Sequence, residues 1–167
     1  MSSTPPLDPE QLAAYFALME VSSLLQHAVE QQLRDEGGLS HTQFQILATL
    51  GDAPDGRMRM TDIADRLVHS RSGLTYQVAQ LAKAGLVSRT PSSEDERAVI
   101  VSSTAEGRAL LGRVLPGHVE LVQRLLLAPL TSTDTAVLHD ILERVRAHMS
   151  TIPPRSAAPR RKPPRAE

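Results

Sequence analysis

Apolar residues recur with a helical period along most of this chain, and one stretch breaks that rhythm. Asp8-Pro9-Glu10 opens the first helical run, because Asp accepts from first-turn amides and Pro suits the first helical position. Leu12, Phe16, Met19, Leu24, Val29 and Leu33 carry it to a double stop at Gly37-Gly38. Ser40-His41-Thr42-Gln43 has the form of a capping box and starts a second helix through Phe44, Leu47 and Leu50. Thr61 reads as a helix N-cap, followed by Ile63, Ala64 and Leu67. Ser70 reads as another, followed by the stripe Leu74, Val78 and Leu81, with Gly85 as the stop. Then the period changes. Leu86–Thr90 and Ala98–Val101 read as strands around a polar turn at Ser92–Arg97. Thr104 opens a long apolar helical segment to Leu127, which Pro116-Gly117 should kink or split. Thr131-Ser132-Thr133-Asp134 caps a last helix with the stripe Val137, Leu138, Ile141, Leu142 and Val145.

Two short helices a few residues apart, then a β-hairpin, describe a helix-turn-helix with a wing. The expected fold is mainly α with a small β-hairpin wing. The winged helix-turn-helix would span residues 40–102 of a domain covering 8–152, flanked by long helices at 8–36 and 104–150. Residues 1–7 form an N-terminal arm. Residues 153–167 form a basic, proline-rich tail with no apolar residue larger than Ala, a composition that predicts disorder.

A helix-turn-helix places its second helix in the DNA major groove. At about 100° per residue, the face opposite Leu74, Val78 and Leu81 carries Ser72, Tyr76, Ala79 and Lys83. Thr75 flanks that face, and Ser70 and Arg71 stand at the helix entrance. Short hydroxyls with Arg, Tyr and a distal Lys suit a surface that meets base edges first and phosphates later. The alternative is an ordinary polar helix face on a winged-helix protein-interaction module.

Charge sharpens the choice. The net charge of −1 hides an asymmetry. Residues 57–89 hold six cations, Arg57, Arg59, Arg66, Arg71, Lys83 and Arg89, against two acids, a net of +4. Residues 1–56 carry −7, and the tail from 153 carries +4. Within the folded part, positive charge therefore collects where phosphate contact requires it.

At these residues the sequence resembles the MarR (multiple antibiotic resistance regulator) family of winged-helix repressors. The likeness lies in TDIADRLVHSRSGLTYQVAQLAKAGLVSR, in a D-x-R-A wing at Asp95, Arg97 and Ala98, and in S-T-A-E-G-R at Ser103–Arg108. It implies that Arg97 enters the minor groove, held by Asp95, beside a recognition helix in the major groove. It implies a homodimer whose terminal helices interlock. It also implies a cleft for a small aromatic acid or phenol, for which Tyr15, His27 and His118 are candidate liners, whereas Phe44 reads as plain core. Glu94, Asp95 and Glu96 surround the wing Arg with three acids and should weaken its hold on phosphate.

The sequence thus predicts a transcriptional repressor that binds double-stranded DNA as a homodimer on an inverted repeat and is released by a small effector. The DNA contacts would be Ser70, Arg71, Ser72, Thr75, Tyr76, Lys83, Arg89, Asp95 and Arg97. No phosphate-binding loop, nucleophile elbow or paired-carboxylate motif is present, so no enzyme and no cofactor are expected. Cysteine is absent, which removes disulfides and a thiol switch, and the six scattered His predict no metal site. No signal peptide or uninterrupted apolar run of membrane-spanning length is read, so the expected location is cytoplasmic.

Overall fold

The computed structural model describes residues 6–67, 71–92 and 98–150, with Arg71 described in its backbone alone. The described residues form six α-helices and a three-stranded antiparallel sheet. Helix α1 spans Pro9–Gly37 and α2 His41–Gly51. Strand β1 (Arg57–Arg59) leads directly into α3 (Met60–Leu67), and α4 covers Arg71–Lys83. Strands β2 (Val87–Pro91) and β3 (Val99–Ser103) form the hairpin. Helix α5 (Ala105–Val122) passes into a π turn at Gln123–Leu127, and α6 spans Ser132–Ser150.

The helix starts follow local chemistry. Asp8 and Ser40 each accept from the third helical amide, and Gln11 and Gln43 reach back to the cap amides, closing two capping boxes. Thr131 accepts from the Asp134 amide at 3.1 Å while Asp134 accepts from the Thr131 amide at 3.0 Å. Gly38 and Gly85 both take positive φ, at 63° and 75°, where they end α1 and α4.

Three expectations need correcting. The sheet has a third strand: β1 pairs antiparallel with β3, giving the order β1-β3-β2. Because β1 runs straight into α3, that helix begins at Met60, and Thr61 lies inside its first turn rather than capping it. Pro116-Gly117 does not split α5, which continues to Val122. Pro116 and Gly112, whose carbonyl loses its helical donor, are both exposed, so water can take the missing partner's place.

The core lies where α1, α2, α3, α4, α5 and the sheet meet. Leu33, Ile46, Leu47, Leu50, Ile63 and Leu74 are fully buried there, as are Val78, Val101 and Val114. By contrast α6 has no buried residue. Residues 9–24 of α1 are likewise exposed, including Leu12, Phe16, Met19 and Leu24. By length and composition alone α1 holds an 18-residue window apolar enough to cross a membrane, with a mean hydropathy of 1.2 over that window, which corrects the expectation that no segment qualifies. Its C-terminal part is nonetheless committed to this core through Val29 and Leu33.

Candidate nucleic-acid interface

Helix α4, the expected recognition helix, is anchored by the stripe that its sequence shows. Leu74, Val78 and Leu81 are buried, and the opposite face turns Ser72, Thr75, Tyr76 and Lys83 outward. Tyr76 is 61% exposed, so its ring and hydroxyl are open to a partner. Ala79, expected on the same outer face, is half-buried. The C-terminal end of α4 is held firmly: the Leu86 amide donates to the Leu81 carbonyl at 2.9 Å and the Gly85 amide to Ala82 at 3.0 Å.

The wing stem is built from β2 and β3 in continuous register, from Val87↔Ser103 to Pro91↔Val99. Val87 and Val101 face the core, while Arg89 is exposed on β2. The Ser92 amide donates to the Ala98 carbonyl at 2.8 Å, fixing the stem up to its tip. Asp95 and Arg97, the expected wing pair, lie outside the described residues, as does Ser70; the Arg71 side chain does too.

The structure adds residues that the sequence reading counted only as charge. Arg57 and Arg59 flank half-buried Met58 on β1, an alternation of period two just before α3. Arg59 borders a hollow of about 190 Å³ between α3, α4 and β3, alongside Thr61, Thr75 and Ala98. It therefore stands beside the recognition helix and the wing base. The R-M-R alternation after Gly56 was the available signal, but three residues are too few to read as a strand. The patch is also tempered. Arg57 lies 3.8 Å from Asp55 and Arg66 lies 3.7 Å from Asp52, all of them exposed, so each of these two cations has an acid at hand.

The three candidate effector residues are not brought together within one chain. Tyr15 is 52% exposed and packs on Phe16, with ring centroids 5.4 Å apart. His27 is exposed twelve positions further along α1, about 18 Å at the helical rise. His118 lies on α5 against Phe44, centroids 4.5 Å apart and planes at 48°. Phe44 is core, as read. Burial, reinforced by the nearby His41 imidazole, holds His118 below the usual histidine range, and its Nδ1 is buried without a partner. A cavity of about 370 Å³ does lie between α1 and α5, but Gln31, Gln32, Asp35, Glu36, Glu120 and Arg124 provide its polar lining. Among the described residues no group of three His, Asp or Glu stands together to hold a metal ion.

Comparison with known proteins agrees with this architecture. The profile of the MarR family matches residues 37–98. The HTH-type transcriptional regulator PecS of Dickeya dadantii is 34% identical over 147 residues, covering 87% of each chain. The HTH-type transcriptional repressor YetL of Bacillus subtilis is 35% identical over 112 residues, 67% of this chain and 66% of that one. Among solved structures, Sco3205, a MarR family transcriptional regulator from Streptomyces coelicolor in complex with DNA, superimposes with a TM-score of 0.86 at 30% identity. That match covers 89% of this chain and 98% of the other.

Proposed function

The chain belongs to the MarR family of transcriptional regulators, and from that premise we propose that it represses transcription as a homodimer on an inverted-repeat operator. The observation that carries the reading is the two-faced recognition helix. Its apolar stripe is buried, and Ser72, Thr75, Tyr76 and Lys83 are presented outward beside exposed Arg89. Family membership makes this a regulator and not an enzyme.

In this reading α4 enters the major groove. Ser70, Arg71, Ser72, Thr75 and Tyr76 meet base edges and nearby backbone, and Lys83 and Arg89 meet phosphate. Arg97, held by Asp95, reaches the adjacent minor groove from the wing. Homodimerisation is supported by the apolar surface that one chain leaves open on α1 and α6. Two recognition helices must also reach successive grooves about 34–36 Å apart. Release by a small aromatic or phenolic effector belongs to the same proposal. Tyr15, His27 and His118 can contribute to such a site only across the dimer, since one chain keeps them apart. The working location is the cytoplasm, where the DNA is.

The test is an equilibrium titration against duplexes selected from a random pool by the full chain, at several salt concentrations. Sequence-selective binding is expected. Lys83→Ala should weaken all duplexes alike and lower the salt slope by about one, while Arg97→Ala should cost about 1–3 kcal/mol on the selected site. Equal affinity for all sequences would leave only a charged surface.

A further inference from the structure

Thr104 links the end of the recognition helix to the start of α5. Its hydroxyl accepts from the Gly107 amide at 3.0 Å, which caps α5. The same hydroxyl donates to the carbonyl of Gly85 at 2.7 Å. Gly85 is the left-handed residue that ends α4. The Thr104 amide adds a bond to the Leu86 carbonyl at 3.2 Å. From the α5 side, the Arg108 guanidinium donates to the Ser103 carbonyl at 2.8 Å.

Gly107 explains how two backbones come so close. It is buried, and a Cβ there would run into the Leu86 carbonyl oxygen and crowd the Ser103 hydroxyl. The contact is backbone on backbone, so it cannot yield as a flexible side chain would. Neither bond to Thr104 is needed to fold the hairpin, whose ladder runs from Val87 to Val99 without it. An isolated helix end would give its last carbonyls to water. Here the end carbonyls of α4 take the amides of Ala84, Gly85 and Leu86, and the carbonyl of Gly85, just past the helix, is tied to the first turn of the helix that leads toward the base.

We propose that Thr104 is a positioning residue for DNA recognition: with Gly107 it fixes the angle between α4 and α5, and hence the separation at which two recognition helices meet successive grooves. This rests on the reading of the protein as a DNA-binding dimer. The joint converts any movement of α5 into movement of α4, because the two helix ends share one hydroxyl and one backbone contact. Base contacts on α4 decide which half-site is read; the joint decides how far apart two half-sites stand.

The experiment uses the full chain and an inverted-repeat duplex that the wild type selects from a random pool. Two further duplexes have the spacer lengthened or shortened by one base pair, and a fourth carries one half-site only. Thr104→Val keeps the side-chain shape and removes both hydroxyl bonds; Thr104→Ser keeps the hydroxyl. Thr104→Val is expected to bind the selected duplex about tenfold more weakly and to lose most discrimination between spacers, since one or two bonds of ordinary strength are gone. Its preference among half-site sequences should persist, and Thr104→Ser should restore spacing discrimination. Should Thr104→Val not fold, Gly107→Ala, which forces the same joint open, carries the spacing test. Wild-type discrimination in Thr104→Val, failure of Thr104→Ser to rescue it, or equal losses on half-site and full-site DNA would overturn the proposal. A wild type that selects no site fails earlier, at the DNA-binding reading, and takes the proposal with it.

Discussion

The winged-helix head and the helical base use the same residue types to opposite ends. In the head, Ile46, Leu47, Leu50, Ile63, Leu74 and Val78 are all 0% exposed, enclosed by α2, α3, α4 and the sheet. In the base, Val137, Ile141 and Val145 follow one another at helical spacing on α6 and remain open, and α6 buries nothing. The head is complete within one chain. The base presents apolar surface that water penalises, at roughly 25 cal/mol for each Å² left uncovered. A closed core fixes the geometry of the reading surface, whereas an open face leaves geometry to be set by what docks there. That division suits the proposed dimer, in which two heads would be rigid individually and adjustable relative to each other.

The largest expected effect comes from breaking the head. Leu47→Ala removes a fully buried side chain where α2 supports both α4 and α5. It should cost about 2–5 kcal/mol, read as a lower denaturant midpoint, because close-packed neighbours refill the space only partly. A loss near zero would mean that the head core is looser than its burial indicates.

Breaking the base should act on assembly instead of folding. Ile141→Glu places a charge in the open stripe of α6, where the single chain exposes that side chain and should tolerate it. In sedimentation the wild type is expected as a dimer and the variant as a species near the 18.2 kDa chain mass. The head's unfolding should then be little changed once concentration is accounted for. A variant that stays dimeric would move the interface off α6. A wild type that sediments as a monomer would remove the reason offered for the open face.

What could be read in the sequence divides along the same line. Signals confined to a few residues were legible: the capping boxes at Ser40 and Thr131, the N-cap at Asp8, the stops at Gly38 and Gly85, and the buried stripe of α4. Strand limits shifted by one or two residues, because edge positions such as Leu86 and Ser103 satisfy either pattern. Strand β1 went unread because three residues gain their meaning from pairing with Arg59↔Ile100 and its neighbours. Of the two outcomes read at Pro116, a kink or a split, the split does not occur, since the proline's cost depends on whether the freed carbonyl is buried, which only the fold reveals. The irregularity came instead at Gln123–Leu127, a π turn that no residue there announces. Of the residues expected to face DNA, Ser72, Thr75, Tyr76 and Lys83 are exposed on α4, whereas Ala79, read on the same face, is half-buried. The effector residues were grouped by type, and type says nothing about convergence: Tyr15 and His27 lie too far apart on one helix.

The smallest expected effect lies at the seam where head meets base, and it is set by protons. His118 on α5 packs its ring on Phe44 of α2. Burial first, and then the His41 imidazole, lower its affinity for a proton, and a charged ring would place a second N–H at a buried Nδ1 that has no partner. Separated from the core, the same ring titrates near pH 6.5. Above that pH both forms are neutral and the ring contributes nothing to pH dependence. As pH falls through 6.5 the separated form binds a proton that the packed form refuses, so the packed seam loses stability. The loss stops growing once pH drops below the packed histidine's own, lower, midpoint. His41 of α2 is the charged neighbour that acts on this ring, and Asp35 and Glu36 of α1 and Glu120 of α5 line the adjoining hollow beside Gly117. His118→Gln removes the titration and keeps a polar side chain of similar reach. The denaturant midpoint of the wild type should therefore fall further between pH 7.5 and 5.5 than that of the variant, with the gap opening only below about pH 6.5. Parallel profiles, or a gap already present at pH 7.5 and unchanged at 5.5, would show that the seam does not care whether this histidine is charged.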